Sequence, residues 1–98
     1  MKTIISGLNK LFDSRIKLGI MAVLSVNNSL SFNTLKELLD ITDGNLATHL
    51  KGLEKNELVE VSKQFIERKP NTTYSITPTG RNLFEQHLNA LEKLINQS

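Results

Sequence analysis

Thr42-Asp43-Gly44-Asn45-Leu46-Ala47-Thr48-His49-Leu50-Lys51-Gly52-Leu53-Glu54-Lys55-Asn56-Glu57-Leu58-Val59 is the stretch whose reading decides the fold. Leu46, Leu50 and Leu53 follow the i, i+4, i+7 spacing of one helical stripe. Asn45, Thr48, Lys51, Gly52 and Lys55 lie away from it, small or hydrogen-bonding, with two cations among them. Thr42 or Asp43 is a ready N-cap, because a side-chain oxygen there accepts from the exposed amides of the first turn. Asn56 is placed to close the helix in the left-handed conformation. A helix anchored on one side and offering amides, hydroxyls and ammonium groups on the other suits a DNA major groove. Taken alone, the stretch also fits an ordinary amphipathic surface helix.

Its neighbours narrow the choice. Upstream, Ile4, Ile5, Leu8, Leu11 and Phe12 give a wide apolar helical face. Asp13 or Ser14 can cap a second helix, from about Arg15 to Val26, with Ile16, Ile20, Val23 and Leu24 inward and Lys17 outward. Leu30-Ser31-Phe32 reads as a very short strand. Asn33 is placed to cap a short helix over Thr34–Leu39, and Asp40-Ile41-Thr42-Asp43 links it to the central helix. Two helices joined by so short a turn form a helix-turn-helix.

Downstream the period changes from 3.6 to 2. Val59, Val61 and Phe65 alternate with Glu60, Ser62 and Gln64, and Thr73-Tyr74-Ser75-Ile76 alternates again. Between them Glu67-Arg68-Lys69-Pro70-Asn71-Thr72 reads as a charged turn, so the strands form a hairpin with a basic tip. Thr77-Pro78 opens a last helix, threonine as N-cap and proline at the first turn. In it Phe84, Leu88, Leu91 and Ile95 make one apolar stripe, with Leu83, Ala90 and Leu94 beside it. The order is helix, helix, short strand, helix, helix, hairpin, long helix. That is a winged helix-turn-helix, mainly α with a small β-hairpin.

The chain resembles the small winged-helix transcriptional regulators of the MarR and ArsR superfamily. Arg15-Ile16-x-Leu18-x-Ile20 and Phe32-x-x-Leu35 carry the likeness first. Thr42-x-Gly44-Asn45-Leu46-x-x-His49-Leu50-x-x-Leu53-Glu54 and Leu58-Val59 continue it. Lys69-Pro70-x-Thr72-x-Tyr74-x-Ile76-Thr77 and Gly80-Arg81 complete it, over roughly residues 13–81. Where such proteins often have glycine before the first wing strand, Asn56-Glu57 stands here. The resemblance implies a homodimer binding a pseudo-palindromic operator in duplex DNA, with repression as its effect. It places Asn45, Thr48, His49 and Lys51 on or beside the DNA-facing surface of the recognition helix. Asn45 can pair bidentately with adenine, and Thr48 can offer a hydroxyl and a methyl to thymine. Lys51 and Lys55 fit phosphates, as do Lys63, Arg68 and Lys69 in the wing.

The 98 residues fit one domain: an N-terminal helix over 1–12, a winged-helix core over 13–77 and a dimerisation helix over 78–98. Ile4, Ile5, Leu8, Leu11, Phe84, Leu88, Leu91 and Ile95 are the expected dimer interface. The net charge of +2 decides little, but its distribution does. Residues 1–36 carry five cations against Asp13, residues 37–62 two cations against six acids, and residues 63–81 four cations against Glu67. The basic surplus flanks an acidic middle, which supports the alternative of a protein–protein interaction module without DNA binding.

Without cysteine there is no disulfide or thiolate metal site, and two histidines fall short of the usual four zinc ligands. His49 reads as a packing or phosphate-contact residue and His87 as packed or interfacial. No cofactor or catalytic constellation is expected: serines lack a His/Asp partner set and there is no Gly-rich phosphate loop. Lack of a signal-peptide layout or membrane-length apolar run fits a cytoplasmic protein. A small-molecule effector, if the protein has one, would have to bind between helices or at the dimer interface.

Overall fold

Side-chain caps and left-handed residues set where each element begins and ends. The structure is a computed structural model that describes residues 8, 9, 12 and 14–96. Ile4, Ile5 and Leu11, and most of the expected first helix, lie outside the described residues. Helix α1 (Arg15–Ser25) is capped by Ser14, whose Oγ accepts from the amides of Ile16 and Lys17 at 3.2 and 3.3 Å. Strand β1 (Leu30–Ser31) leads directly into α2 (Phe32–Leu39).

The expected cap at Asn33 is corrected. Ser31, in extended backbone, accepts from the Thr34 amide at 3.1 Å, so α2 starts at Phe32 and Asn33 is already helical. Asp40, at φ 51°, ends α2. Helix α3 (Asp43–Lys55) then starts under Thr42, whose Oγ1 accepts from Asn45 N–H at 3.2 Å. Lys36 at the end of α2 meets Asp43 at the start of α3 across 2.9 Å. Each charge also complements its helix dipole, but both side chains are exposed and the pair contributes little.

The end of α3 differs from expectation as well. Asn56 is not left-handed (φ −90°); Glu57 is, at φ 61°. Asn56 instead donates its side-chain amide to the Gly52 carbonyl at 2.8 Å. The chain then turns into β2 (Val59–Ile66), which pairs antiparallel with β3 (Lys69–Ile76), and β1 adds on the far side of β3. The expected six-residue turn is a two-residue one. Register runs to Ile66 opposite Lys69, leaving Glu67 and Arg68 alone at the tip, both at positive φ (51° and 67°). That is the primed geometry a two-residue hairpin requires. Pro70 fits inside β3 because, opposite Phe65, it falls one pair beyond the closing hydrogen-bonded pair, where its missing N–H faces away from β2. β1 pairs only as far as Thr73, so no partner there needs that donor.

The core gathers Ile20, Met21 and Leu24 of α1, Leu35 of α2, the α3 stripe Leu46, Leu50 and Leu53, then Leu58, Val59 and Phe84. Burying a leucine of this kind is worth about 1.5–3 kcal/mol, so the leucine stripe fixes how α3 is rotated. Helix α4 (Pro78–Ile95) is locked to this frame at its start. Thr77 Oγ1 accepts from Gly80 N–H at 2.8 Å and donates to the Glu57 carbonyl at 2.7 Å. Further along α4, Phe84 packs edge-on to Phe12 with centroids 5.8 Å apart, and His87 packs against the same ring at 5.0 Å. His87 Nδ1 accepts from the Asn9 amide at 3.1 Å, so His87 is a packed residue of its own chain.

Candidate nucleic-acid interface

With the leucine stripe sealed, the opposite side of α3 is fixed by its 3.6-residue period. Gly44, Thr48, Lys51 and Lys55 form an outward row, all exposed, and Asn45 is exposed beside it in the first turn. A Cβ built on Gly44 would meet nothing within 4 Å, so the first turn of α3 is open to a bulky ligand. The expected positions of Asn45, Thr48, Lys51 and Lys55 are therefore accessible together on one helix surface.

His49 stands apart from them. With Gly52 it lies on the side of α3 that Lys17 of α1 approaches, and it is half-buried. Burial first, and the Lys17 ammonium second, hold its imidazole pKa below the ordinary 6.5. Its Nδ1 has no hydrogen-bond partner among the described residues. A neutral ring turned toward α1 is poorly suited to a phosphate, so its position favours packing. Lys17, expected outward, is half-buried and lies along α3: a Cβ on Gly52 would come 3.3 Å from its Cε and 3.6 Å from its Nζ. Gly52 thus leaves a notch for a flexible lysine stem. Nothing in the spacing of α1 pointed to this, because Lys17 is brought there by the α1–α3 crossing.

The wing rises beside the other flank. Ala47, Leu50, Lys51 and Glu54 of α3 and Val61, Lys63 and Tyr74 of the sheet line a groove of about 220 Å³. Lys63 and Lys51 thus share one groove. Burial, and secondarily the Glu54 carboxylate, push the Tyr74 phenol pKa up, so it is a neutral hydroxyl beside the two lysines. Tyr74 was not among the expected site residues; its alternation in the strand signalled only core. Arg68 and Lys69 are exposed at the tip of the hairpin. Arg81, counted with the basic surplus, donates from Nη1 to the Ser25 carbonyl at 3.1 Å and serves the C-terminal end of α1.

The expected dimer residues divide. Phe84 is only 5% exposed and belongs to its own core. Leu88 and Ile95 are exposed, at 44% and 80%, with Leu91 half-buried between them. Leu8 is half-buried. Among the described residues no cluster of three or more His, Asp or Glu could hold a metal, and no helix is long and apolar enough to cross a membrane.

Comparison with known proteins gives the same outline. The family model described as a winged helix DNA-binding domain matches residues 16–95. An uncharacterised protein of Methanocaldococcus jannaschii, MJ0432, is 40% identical over 79 residues, covering 81% of this chain and 86% of that protein. The structure of a transcriptional regulator homologue from Pyrococcus horikoshii is 33% identical, with a TM-score of 0.78, over 89% of this chain and 91% of that one. The S. aureus MepR–DNA complex shares the fold at 15% identity, with a TM-score of 0.76, over 92% of this chain and 73% of that one. The chain belongs to the family of winged-helix DNA-binding domains, as a DNA-binding regulator of transcription.

Proposed function

We propose that this protein binds a pseudo-palindromic operator as a homodimer and represses transcription by occupying it, in the cytoplasm. One observation carries the DNA-facing assignment. The outward row of α3 offers Thr48, Lys51 and Lys55 while Lys63 of the wing lines the same groove as Lys51. In this reading α3 enters the major groove, Asn45 and Thr48 meet base edges, and the lysines meet phosphates. Arg68 and Lys69 extend the contact from the wing. The S. aureus MepR structure, of the same fold, is solved with DNA. The exposed Leu88 and Ile95 on α4 support a second chain packing there. A two-fold axis would set the two α3 helices about 34–36 Å apart, one helical turn.

The test is selection of duplexes from a random library followed by mobility shift at two salt concentrations. The expected result is a dyad-symmetric site bound in the presence of excess unrelated DNA, and reduced transcription from a promoter carrying it. Selection that returns no enriched sequence would sink the proposal.

A further inference from the structure

We propose that the groove between the start of α1 and the turn joining α2 to α3 binds a free amino acid with an aliphatic side chain. The site lies apart from the lysine groove of the wing and is tested without DNA.

The groove has a volume of about 660 Å³, within the roughly 300–1,000 Å³ of small-molecule sites. Local structure builds its two walls. Ser14 caps α1 and so starts the helix at Arg15, which leaves Arg15 exposed and Ile16 half-buried along one wall. Asp40, left-handed at φ 51°, ends α2, and the Ile41 amide turns back to the Lys36 carbonyl at 3.4 Å. That turn brings Lys36, Asp40 and Ile41 to the other wall.

Four charged side chains line the groove, two of each sign. Lys36 and Asp43 neutralise each other across 2.9 Å. Arg15 and Asp40 form no ion pair, with each other or with any other described residue. One unpaired cation and one unpaired carboxylate in the same groove do not make a phosphate site, because polyanion surfaces carry one sign. They match a ligand that carries both charges itself. A guanidinium takes a carboxylate through two parallel N–H donors, and the Asp40 carboxylate accepts from an ammonium. Ile16 and Ile41 pack on the core with part of their surface and line the groove with the rest. The lining between the charges is therefore branched and apolar, which suits an aliphatic side chain. A simple carboxylic acid or a simple amine would answer only one of the two charges.

Gly44 and Asn45 line the same groove. A Cβ at Gly44 would meet nothing within 4 Å, so the ligand can lie against the backbone there. An occupant in that place crowds Asn45, which the DNA-binding reading assigns to base edges. Amino acid and duplex should therefore weaken one another by the same factor.

The probe is L-leucine, titrated into the parent protein and followed by amide NMR shifts. The controls each lack one charge: 4-methylpentanoate has no ammonium and isoamylamine no carboxylate. The expected result is saturable shifts at Ile16, Ile41, Gly44 and Asn45 at millimolar leucine, with both controls about tenfold weaker or worse. Arg15→Gln and Asp40→Asn should each weaken leucine binding about tenfold. Asparagine tolerates the left-handed conformation at 40, and Arg15 is exposed, so both variants should unfold thermally like the parent. Absence of saturable shifts in the parent overturns the inference. So does 4-methylpentanoate binding as well as leucine, or leucine binding unchanged in both variants. In a second measurement, saturating leucine should weaken the parent's binding to its selected duplex and leave Asp40→Asn unaffected. If Arg15→Gln instead flattens the slope of log K against log salt by about 0.9, Arg15 is a phosphate contact and the inference falls. A parent that selects no duplex overturns the operator reading, and the leucine titration still decides the site.

Discussion

Gly80 passes directly beneath the carbonyl of Leu58: a Cβ at residue 80 would lie 2.1 Å from the Leu58 oxygen and 2.9 Å from its carbon. The contact joins the first turn of α4 to the link between α3 and β2. Leu58 also accepts from the Thr77 amide at 3.1 Å, and Thr77 holds the Glu57 carbonyl. The orientation of the recognition helix and the root of α4 are thereby set by one tight junction.

Gly80→Ala should cost about 3 kcal/mol or more, because the atom it strikes is backbone and cannot swing away. Gly44→Ala is the internal control. The same added methyl meets open space there, so it should raise stability by up to about 1 kcal/mol through helix propensity. Urea unfolding of the two variants beside the parent checks both signs at once. A Gly80→Ala midpoint equal to the parent's would mean that α4 is not seated against Leu58.

Base readout should be confined to the outward surface of α3. Asn45→Ala and Thr48→Ala should each reduce discrimination for the selected duplex by about 1–3 kcal/mol, while binding to unrelated DNA changes little. His49→Gln, on the α1-facing flank, should leave discrimination intact. Anisotropy with matched and scrambled duplexes checks this, and the assignment of faces fails if His49→Gln is the variant that loses specificity.

The pH dependence of stability follows from the depressed pKa of His49. In the unfolded chain the imidazole titrates near 6.5, whereas in the fold it resists protonation. Above 6.5 both states hold it neutral, and the contribution is fully present. As pH falls through the lower folded value, the unfolded chain binds more protons and stability is lost. Between about pH 7.5 and about pH 5.5 the parent should therefore lose more stability than His49→Gln, in which this titration is gone. Parallel losses in the two proteins would show that the ring is not kept neutral by the α1–α3 packing.

The α3 stripe, the Thr42 cap, Thr77-Pro78 and the two wing strands were legible because each is a local pattern with one physical solution. At the start of α2 the sequence reading chose Asn33 wrongly: Ser31 is extended and in reach of the Thr34 amide, which spacing alone does not reveal. Glu57, Glu67 and Arg68 take left-handed conformations that residue type argued against; the junction and the tight hairpin impose them. Of the candidate site, the joint exposure of Asn45, Thr48, Lys51 and Lys55 on α3 was visible from periodicity. Lys17 was misplaced, and His49 was left between packing and phosphate contact, because their surroundings come from the α1–α3 crossing, a tertiary fact. Phe84 looked like part of an interface stripe, yet the ring of Phe12, 72 residues earlier in the chain, claims it.

The outer part of α4 bears the dimer prediction. With Phe84 and His87 packed inward, the surface left over is Leu88, Leu91 and Ile95. These residues follow a 3-4 spacing, so they lie on one side of the helix. Ile95 at 80% exposure and Leu88 at 44% would each gain about 1–3 kcal/mol on burial, and a two-fold axis counts each contact twice. Leu88→Glu and Ile95→Glu should therefore give monomers, since association would bury unpaired carboxylates. Both side chains are exposed within the chain, so the variants should keep the parent's helical circular dichroism, a distinction Phe84→Glu could not offer. Loss of the dimer should cost most of the affinity for a full palindrome and little of that for a half-site. Analytical ultracentrifugation at micromolar concentration, with the two duplexes compared by anisotropy, is the check. A parent that sediments as a monomer, with α4 intact, would remove the dimer and the palindrome together.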